Sequence, residues 1–126
     1  MEKIDKLERI FEMQEYFQKD LIARRKLQDI PTDKWIQMQT LAMLSELAEL
    51  IDEVNFKWWK NPKPVEEDKV KEELVDILHF FVSMCLTSGM SAQELFDRYI
   101  AKNQENFDRQ NGLSKKKGYE SPAAEE

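Results

Sequence analysis

Residues 41–51 read LAMLSELAELI, and residues 72–82 read EELVDILHFFV. Each segment is almost wholly apolar apart from its acids, and each contains a pair of acids spaced three residues apart. Residues with that spacing lie on one face of a helix. The segments therefore predict two helices that each carry two carboxylates on one side and a wide apolar surface on the other. The paired acids are Glu46, Glu49, Glu73 and Asp76.

Packing these two helices together would bring the four carboxylates into one partly dry place. Carboxylates that converge repel one another unless they are protonated or bound to cations. A cage made only of oxygen ligands suits Mg²⁺ or Mn²⁺, and Mg²⁺ held by carboxylates commonly acts on polyphosphates. The pattern therefore predicts a metal-dependent enzyme, with an ordinary solvated face of a helical bundle as the alternative.

The composition of the chain favours a small helical protein. Its 126 residues suit one domain. Charged residues make up 35% of the chain, with only 3 Gly and 4 Pro, which is typical of helices rather than of strands or disorder. The 25 acids exceed the 19 bases, so the chain lacks the basic surface expected of a protein that binds polymeric nucleic acid.

The cysteine content and the apolar segments bear on location. Cys85 lies alone in an apolar run, which argues against a disulfide framework or a zinc motif and predicts a buried small hydrophobe. The alternating charges of MEKIDKLERI at 1–10 do not resemble a signal peptide, and no segment approaches 18 uncharged apolar residues. We therefore expect no membrane partner and a cytoplasmic location.

Apolar spacing and turn residues predict four helices. Their expected spans are roughly 3–28, roughly 33–57, from the acids at 66–68 to about Ser88, and from Ser91 to about Gln110. Thr32 is the expected N-cap of the second helix, and Gly89 is the expected C-terminal cap of the third. We expect an all-α domain over 1–112 and a polar, mobile tail over 113–126.

Four sequence blocks occur in the order typical of a known family. The blocks are FEMQ at 11–14, FKWW at 56–59, EELVDILHF at 72–80 and KNQENFDRQ at 102–110. Together with the spacing E-x-x-E, 23 residues, E-x-x-D, they resemble the all-α nucleoside triphosphate pyrophosphatases, or MazG-like superfamily, and within it the dimeric dUTPase branch. The resemblance covers about residues 7–120 and implies a four-helix bundle of the MazG or dimeric dUTPase type.

The resemblance implies Mg²⁺-dependent hydrolysis of a deoxynucleoside triphosphate to the monophosphate and pyrophosphate. The expected ligands of Mg²⁺, or of Mn²⁺ in its place, are Glu46, Glu49, Glu73 and Asp76. Glu46 and Glu49 are the expected catalytic residues, with Glu46 accepting the proton of the attacking water. The expected substrate is dUTP. Residues 111–117 (NGLSKKK) depart from the family pattern, so dCTP and modified nucleotides remain alternatives.

The resemblance also implies a set of substrate-binding residues. They are Gln14, Lys57, Trp58, His79, Lys102, Asn106 and Arg109. Gln14 would read the base through its side-chain amide, Trp58 would wall in the base, and His79 would contact the sugar. The last three would form a phosphate clamp on the fourth helix, to which Lys57 adds charge. Structural or surface roles are the alternatives, with core packing the default for Trp58. The lysines at 115–117 either close over phosphate or only solubilise the tail.

A symmetric partner is expected because the apolar surface of the second and third helices exceeds what four helices of one chain can cover. We therefore expect a homodimer or a higher homo-oligomer that binds a small nucleotide. Two other classes of protein remain open. The pattern Asp76-x-x-His79 with Glu46 or Glu49 is similar to the carboxylate di-iron bundles. A helical interaction protein with exposed acidic stripes would bind no divalent ion.

Overall fold

Four α-helices make up the regular structure of residues 3–120, the residues that the computed structural model describes. The helices are α1 (Lys6–Arg25), α2 (Thr32–Glu53), α3 (Glu67–Thr87) and α4 (Ala92–Gln110). No strand occurs within 3–120, and the predicted all-α, four-helix class is confirmed. No single helix in this range has the length and apolar content needed to cross a membrane, and only α3 and α4 taken together meet that criterion.

α1 is shorter than predicted at both ends. The side chain of Asp5 accepts a hydrogen bond from the backbone N–H of Glu8 at 3.1 Å and so caps the start of the helix. Lys26 has φ 55°, in the left-handed region, and this conformation ends the helix at Arg25. The predicted span of 3–28 therefore included residues that cap the helix or follow it.

α2 begins at Thr32, and Pro31 occupies the N-cap position without a side-chain hydrogen bond. The prediction of Thr32 as the cap was wrong, because the extended backbone of the proline already turns the chain into the helix. Asp33 lies in the first turn, where the helix dipole favours negative charge, as predicted.

α2 ends at Glu53, earlier than the predicted residue 57. Asn55 has φ 61°, a left-handed conformation that a helix does not continue through. Its side-chain amide donates to the backbone carbonyl of Lys63 at 2.7 Å and accepts from the N–H of the same residue at 2.9 Å. This pair of bonds closes the loop before α3, and the local sequence pattern does not reveal it.

α3 ends at Thr87, and Ser88 and Gly89 follow it. Gly89 has φ 76°, which glycine adopts without strain, and the N–H of Met90 then bonds to the carbonyl of Cys85 at 2.9 Å. The predicted role of Gly89 at the end of this helix is confirmed.

α3 is the central helix of the unit that ends at Ser91, because it packs against both α1 and α2. α2 and α3 run antiparallel. Gln39 near the start of α2 contacts Ser83 near the end of α3, whereas Glu46 further along α2 lies beside Glu73. This register positions the acids of the two helices against each other.

The apolar core of this unit is small. Phe11, Val82 and Cys85 are buried, and the burial of Cys85 agrees with the prediction made from its apolar run. The outer stripes of α2 and α3 are 39% to 54% exposed at Leu44, Leu47, Ile51, Leu74, Leu78 and Phe81. One chain therefore leaves much of its apolar surface uncovered.

Candidate active site

Three carboxylates meet where α2 lies beside α3. Glu46 and Glu49, one turn apart on α2, and Glu73 on α3 each offer an oxygen atom, and these atoms lie within 4.8 Å of one another. Glu46 and Glu73 are half-buried, whereas Glu49 is exposed. The antiparallel packing thus brings together three of the four acids that the sequence analysis paired.

Two oxygen atoms in this carboxylate cluster have no hydrogen-bond partner. Glu46 Oε2 and Glu73 Oε2 are buried and unpaired within the described part of the chain. The pKa of Glu73 is raised to about 7, first because the Glu46 carboxylate lies within hydrogen-bonding reach, then because burial desolvates the group and Glu49 is negatively charged. Since buried polar atoms are normally paired, the cluster calls for a proton or a cation.

The donor set of the carboxylate cluster fits a divalent cation. Its three side chains offer only carboxylate oxygens, the ligands that hard cations such as Mg²⁺ and Mn²⁺ prefer. A cation among them would pair the two orphaned oxygens and relieve the repulsion that raises the pKa of Glu73.

A cavity of about 400 Å³ opens beside the carboxylate cluster. Glu46 belongs to both the cluster and the cavity wall, and Asp76, the fourth acid, lines the cavity without being one of the three clustered residues. Three aromatic residues and three amides also line it, namely Phe17, Trp35, Phe80, Gln14, Gln18 and Gln39. Cavities that bind small molecules combine apolar walls with a few placed polar groups, so this one suits a small molecule.

Gln14 and His79 form a hydrogen-bonded pair in the cavity wall. Nδ1 of His79 donates to Oε1 of Gln14 at 2.7 Å, which joins α1 to α3. Gln14 is buried, and His79 lies one turn beyond Asp76. With its oxygen engaged, Gln14 keeps its amide NH₂ group as a donor. The structure therefore brings the residues predicted to read the base and the sugar into direct contact.

A second set of hydrogen-bonded polar residues escaped the sequence analysis, and three of its four members, Gln18, Gln39 and Ser83, line the same cavity. Gln39 Nε2 donates to Ser83 Oγ at 2.7 Å, Thr87 Oγ1 donates to Gln39 Oε1 at 3.3 Å, and Gln18 Nε2 donates to Thr87 Oγ1 at 3.2 Å. We call these four residues the polar row. Gln39 precedes Glu46 by seven residues, two turns that return to the same helix face, and this spacing could have revealed the row.

Lys57 and Trp58 lie in the loop between α2 and α3. Lys57 lines a separate cavity of about 220 Å³ together with Lys60 and Lys63. Trp58 is 86% exposed, and its ring meets that of Trp59 edge-on at 5.4 Å between centroids. The expectation that Trp58 packs in the core of the chain was therefore wrong. Because α2 ends at Glu53, Trp58 lies beyond the helix in an exposed loop.

The residues of the predicted phosphate clamp belong to the second unit, which begins at Ala92. They are Lys102, Asn106 and Arg109, and their spacing gives them one face of α4. Arg109 Nε donates to Glu105 at 3.0 Å, and its guanidinium lies over the ring of Tyr119 at 5.3 Å. Ser114 also donates to Glu105, at 2.7 Å. The tail up to residue 120 thus contacts the end of α4, and the predicted tail residues 121–126 lie outside the described residues.

Comparisons with known proteins identify a family and several relatives. A family model described as dUTPase matches residues 6–91, more than half of the chain. The chain is 47% identical over 47 residues to a dCTP pyrophosphatase of Enterobacteria phage T4, a match covering 37% of the chain and 28% of the relative. It is 41% identical over 58 residues to a dCTP pyrophosphatase of Enterobacteria phage LZ5, covering 46% of the chain and 34% of the relative.

A DNA replication protein of Enterobacteria phage T4 is 44% identical over 41 residues, which cover 32% of the chain and 10% of that protein. The chain thus spans about a third or less of the length of these curated relatives. No solved structure gave a significant match.

Proposed function

The chain belongs to the dUTPase family, and from that premise we propose that it hydrolyses a pyrimidine deoxynucleoside triphosphate, first of all dUTP, to the monophosphate and pyrophosphate. The observation that carries the proposal is that Glu46 is shared by the carboxylate cluster and the cavity wall. A nucleotide in the cavity would have its phosphates beside the carboxylates and its base among amides and aromatic rings.

Mg²⁺, with Mn²⁺ as a substitute, is the proposed cofactor. Its proposed ligands are Glu46, Glu49, Glu73 and Asp76. The oxygen-only donor set and the two unpaired buried oxygens support this assignment, and Asp76 lines the same cavity as Glu46. When bound, such a cation neutralises charge on the triphosphate.

Glu46 is the proposed general base. It is half-buried, one of its oxygens is unpaired, and it borders the cavity in which the substrate would lie. In this role it accepts a proton from the attacking water while the water oxygen bonds to phosphorus and the bond to the pyrophosphate oxygen breaks. Glu49, the exposed member of the cluster, is the second proposed catalytic residue and completes the site on its solvent side.

Gln14, His79 and Trp58 are proposed to bind the nucleoside. The NH₂ group of Gln14, which donates to no group within residues 3–120, suits a carbonyl oxygen of the base. His79 lies one turn from Asp76 and so suits the sugar that joins base and phosphates. Trp58 presents an exposed ring that suits stacking against the base.

The proposed phosphate ligands are Lys57, Lys102, Asn106 and Arg109. Lys57 shares its cavity with two more lysines, which concentrates positive charge in the loop after α2. The Nε of Arg109 is engaged by Glu105, which leaves the terminal NH₂ groups of the guanidinium for phosphate oxygens. The resemblance and the chemistry of these side chains support the proposed roles.

dCTP is the second candidate substrate. Two curated relatives with 47% and 41% identity are named dCTP pyrophosphatases. Uracil and cytosine differ at the 4-position and at N3, and a side-chain amide complements either base by exchanging donor and acceptor. Base preference therefore depends on which groups hold the amides of the cavity in place.

Association of two copies, or a higher homo-oligomer, is the proposed assembly. The apolar stripes of α2 and α3 are exposed, and an apolar groove of about 570 Å³ is lined by residues of α1 and α3. Leu78 lies in both the α3 stripe and the groove. Covering such surfaces stabilises by about 25 cal/mol per Å² of apolar area, and a symmetric partner supplies the cover.

The other two classes fit this site less well. A di-iron bundle would need His79 as a ligand, but the three clustered side chains are all carboxylates and His79 is not among them. A solvated acidic stripe would leave its carboxylates in water, whereas Glu46 and Glu73 each bury an unpaired oxygen.

A substrate screen tests the proposed function. The purified protein is incubated with Mg²⁺ and each of the common deoxynucleoside and ribonucleoside triphosphates, and pyrophosphate release is measured. We expect the highest rate with dUTP, a lower rate with dCTP, background rates with purine nucleotides, and loss of activity in EDTA. Release of single phosphates, or no release from any pyrimidine nucleotide, would reject the proposal.

A further inference from the structure

The hydrogen bonds of the polar row run in one direction. Gln18 donates to Thr87, Thr87 donates to the carbonyl oxygen of Gln39, and the NH₂ group of Gln39 donates to Ser83. A hydroxyl group has one proton to donate. Thr87 uses its proton on Gln39. The proton of Ser83 finds no acceptor among the protein groups of residues 3–120, so Ser83 is the free end of the row.

Ser83, the free end of the row, lines the cavity beside the carboxylates, whereas Thr87 does not line this cavity. Gln39 and Ser83 are 5% and 6% exposed and line the cavity beside the carboxylates. Thr87 lines a different cavity. Buried polar groups are held firmly when each is paired. Thr87 therefore fixes which way the Gln39 amide faces, and the amide fixes Ser83 as a donor toward the cavity.

The distance of Ser83 from the acids indicates which part of a bound nucleotide Ser83 would contact. Ser83 follows Asp76 by seven residues on α3, and Gln39 precedes Glu46 by seven on α2. At 1.5 Å per residue, both lie about 10 Å along their helices from the acids. That length is comparable to the span from the α-phosphate of a pyrimidine nucleotide to the far edge of its base, where the 4-substituent lies.

We propose that the Ser83 hydroxyl, held as a donor by Thr87 through Gln39, reads the 4-position of the pyrimidine and so favours the 4-carbonyl of uracil over the 4-amino group of cytosine. Ser83 is then a specificity-determining residue, and Thr87 is a positioning residue. The inference rests on the proposed function, because it assumes that the cavity holds the base. It would add Ser83, Gln39 and Thr87 to the residues predicted from the sequence.

The test compares kcat/KM for dUTP and dCTP in matched variants. Thr87→Val keeps the size and branching of the side chain but removes the hydroxyl group, and Thr87→Ser keeps the hydroxyl. We expect the ratio of dUTP to dCTP to fall about five- to tenfold in Thr87→Val, the effect of about one hydrogen bond. Thr87→Ser should stay within twofold of the wild type. A structural defect would lower both rates and leave their ratio unchanged.

Thr40→Val is the control for loss of a threonine hydroxyl from a packed helix. The Thr40 hydroxyl donates to the carbonyl of Ile36 and lies 3.5 Å from Sδ of Met84, but Thr40 is exposed and is not part of the polar row. The ratio of dUTP to dCTP in Thr40→Val should therefore match the wild type. Ser83→Ala should lower the ratio as Thr87→Val does. An unchanged ratio in Thr87→Val, or a wild-type preference for dCTP, would overturn the inference.

Binding of dUMP and dCMP, measured by calorimetry, reads the same discrimination without turnover. We expect tighter binding of dUMP by the wild type, and a smaller difference between the two nucleotides in Thr87→Val. Equal binding of dUMP and dCMP by the wild type would overturn the inference even if dUTP is hydrolysed. Absence of turnover with selective dUMP binding would instead reject the proposed hydrolysis and support the reading of the base.

Discussion

At the scale of single residues, Glu73 carries the electrostatic signature of the site. Its carboxylate faces Glu46 and Glu49, one of its oxygens is buried and unpaired, and its pKa is raised to about 7. In the metal-free protein the folded state therefore retains a proton that the unfolded chain has already released. This is the opposite of a salt-bridged acid, and it sets the direction of a pH effect.

Glu73 should make the metal-free protein less stable as the pH rises toward neutrality. Between the ordinary pKa of 4.5 and the folded value of about 7, the folded state binds more protons than the unfolded state, so the free energy of unfolding falls with rising pH. We predict that the melting temperature in EDTA falls between about pH 5 and pH 7.5, and falls less in Glu73→Gln. Glu72→Gln, an exposed neighbour outside the cluster, should behave as wild type. Parallel curves for Glu73→Gln and the wild type would contradict the raised pKa.

Arg109 tests the proposed phosphate clamp. Lysine keeps the positive charge but loses the planar fork that grips phosphate and stacks on an aromatic ring. We predict that Arg109→Lys lowers kcat/KM for dUTP. The expected loss corresponds to about 1–3 kcal/mol of transition-state stabilisation. Arg98→Lys is the matched control, since Arg98 makes the same type of i, i+4 pair, with Glu94. A decrease of less than twofold in kcat/KM for dUTP in Arg109→Lys would contradict the proposed contact of Arg109 with phosphate.

At the scale of elements, the site depends on the antiparallel pairing of α2 and α3. The acids approach only because Glu46 of α2 lies opposite Glu73 of α3, in the register set by Gln39 and Ser83. A cation bound among these acids would link the two helices. It would bind the folded pairing and not the dispersed acids of the unfolded chain.

Mg²⁺ should therefore raise the melting temperature. At a hundredfold excess over the dissociation constant, binding to the folded state alone adds about 2.7 kcal/mol to the free energy of unfolding. Glu49→Gln removes one proposed ligand, and the gain from Mg²⁺ should shrink. Glu72→Gln should leave the gain intact. Melting curves of the wild type that coincide from zero to millimolar Mg²⁺ would count against the metal site.

At the scale of the whole molecule, the main feature is apolar surface that one chain leaves uncovered. The outer stripes of α2 and α3 stay exposed while the buried core is small. Monomeric soluble proteins rarely expose large contiguous apolar patches. Burial of these stripes against further copies of the chain is the assembly that we propose.

Sedimentation should give a mass of twice the 15.0 kDa of one chain, or a higher multiple. Leu47 lies in the exposed stripe of α2, and Leu47→Glu places a charge where the partner would pack. We predict that this variant sediments as a smaller species than the wild type. Ile4→Glu, at an exposed apolar residue before α1, should leave the assembly unchanged. A wild-type protein that sediments as a monomer would contradict the proposed assembly.

The sequence predicted the features that depend on helical spacing or on a residue, such as glycine, that typically ends a helix. The hydrophobic pattern and the positions of the charges were enough to predict four features. These are the four helices, the cap at Gly89, the burial of Cys85 and the proximity of Glu46, Glu49 and Glu73. The early end of α2 was missed because Asn55 is held by the backbone of Lys63, eight residues further along the same loop. The polar row was missed because its hydrogen bonds join three helices, and each residue alone resembles an ordinary surface polar group.

We propose that the carboxylates at the α2–α3 pairing are required for Mg²⁺-dependent cleavage of a deoxynucleoside triphosphate. The most direct measurement is pyrophosphate released from dUTP with Mg²⁺ by the wild type, Asp76→Asn, Glu49→Gln and the control Glu72→Gln, all verified as folded. We predict one pyrophosphate per dUMP from the wild type and from Glu72→Gln, and no turnover above background from the other two variants. Full activity in folded Asp76→Asn and Glu49→Gln would contradict it.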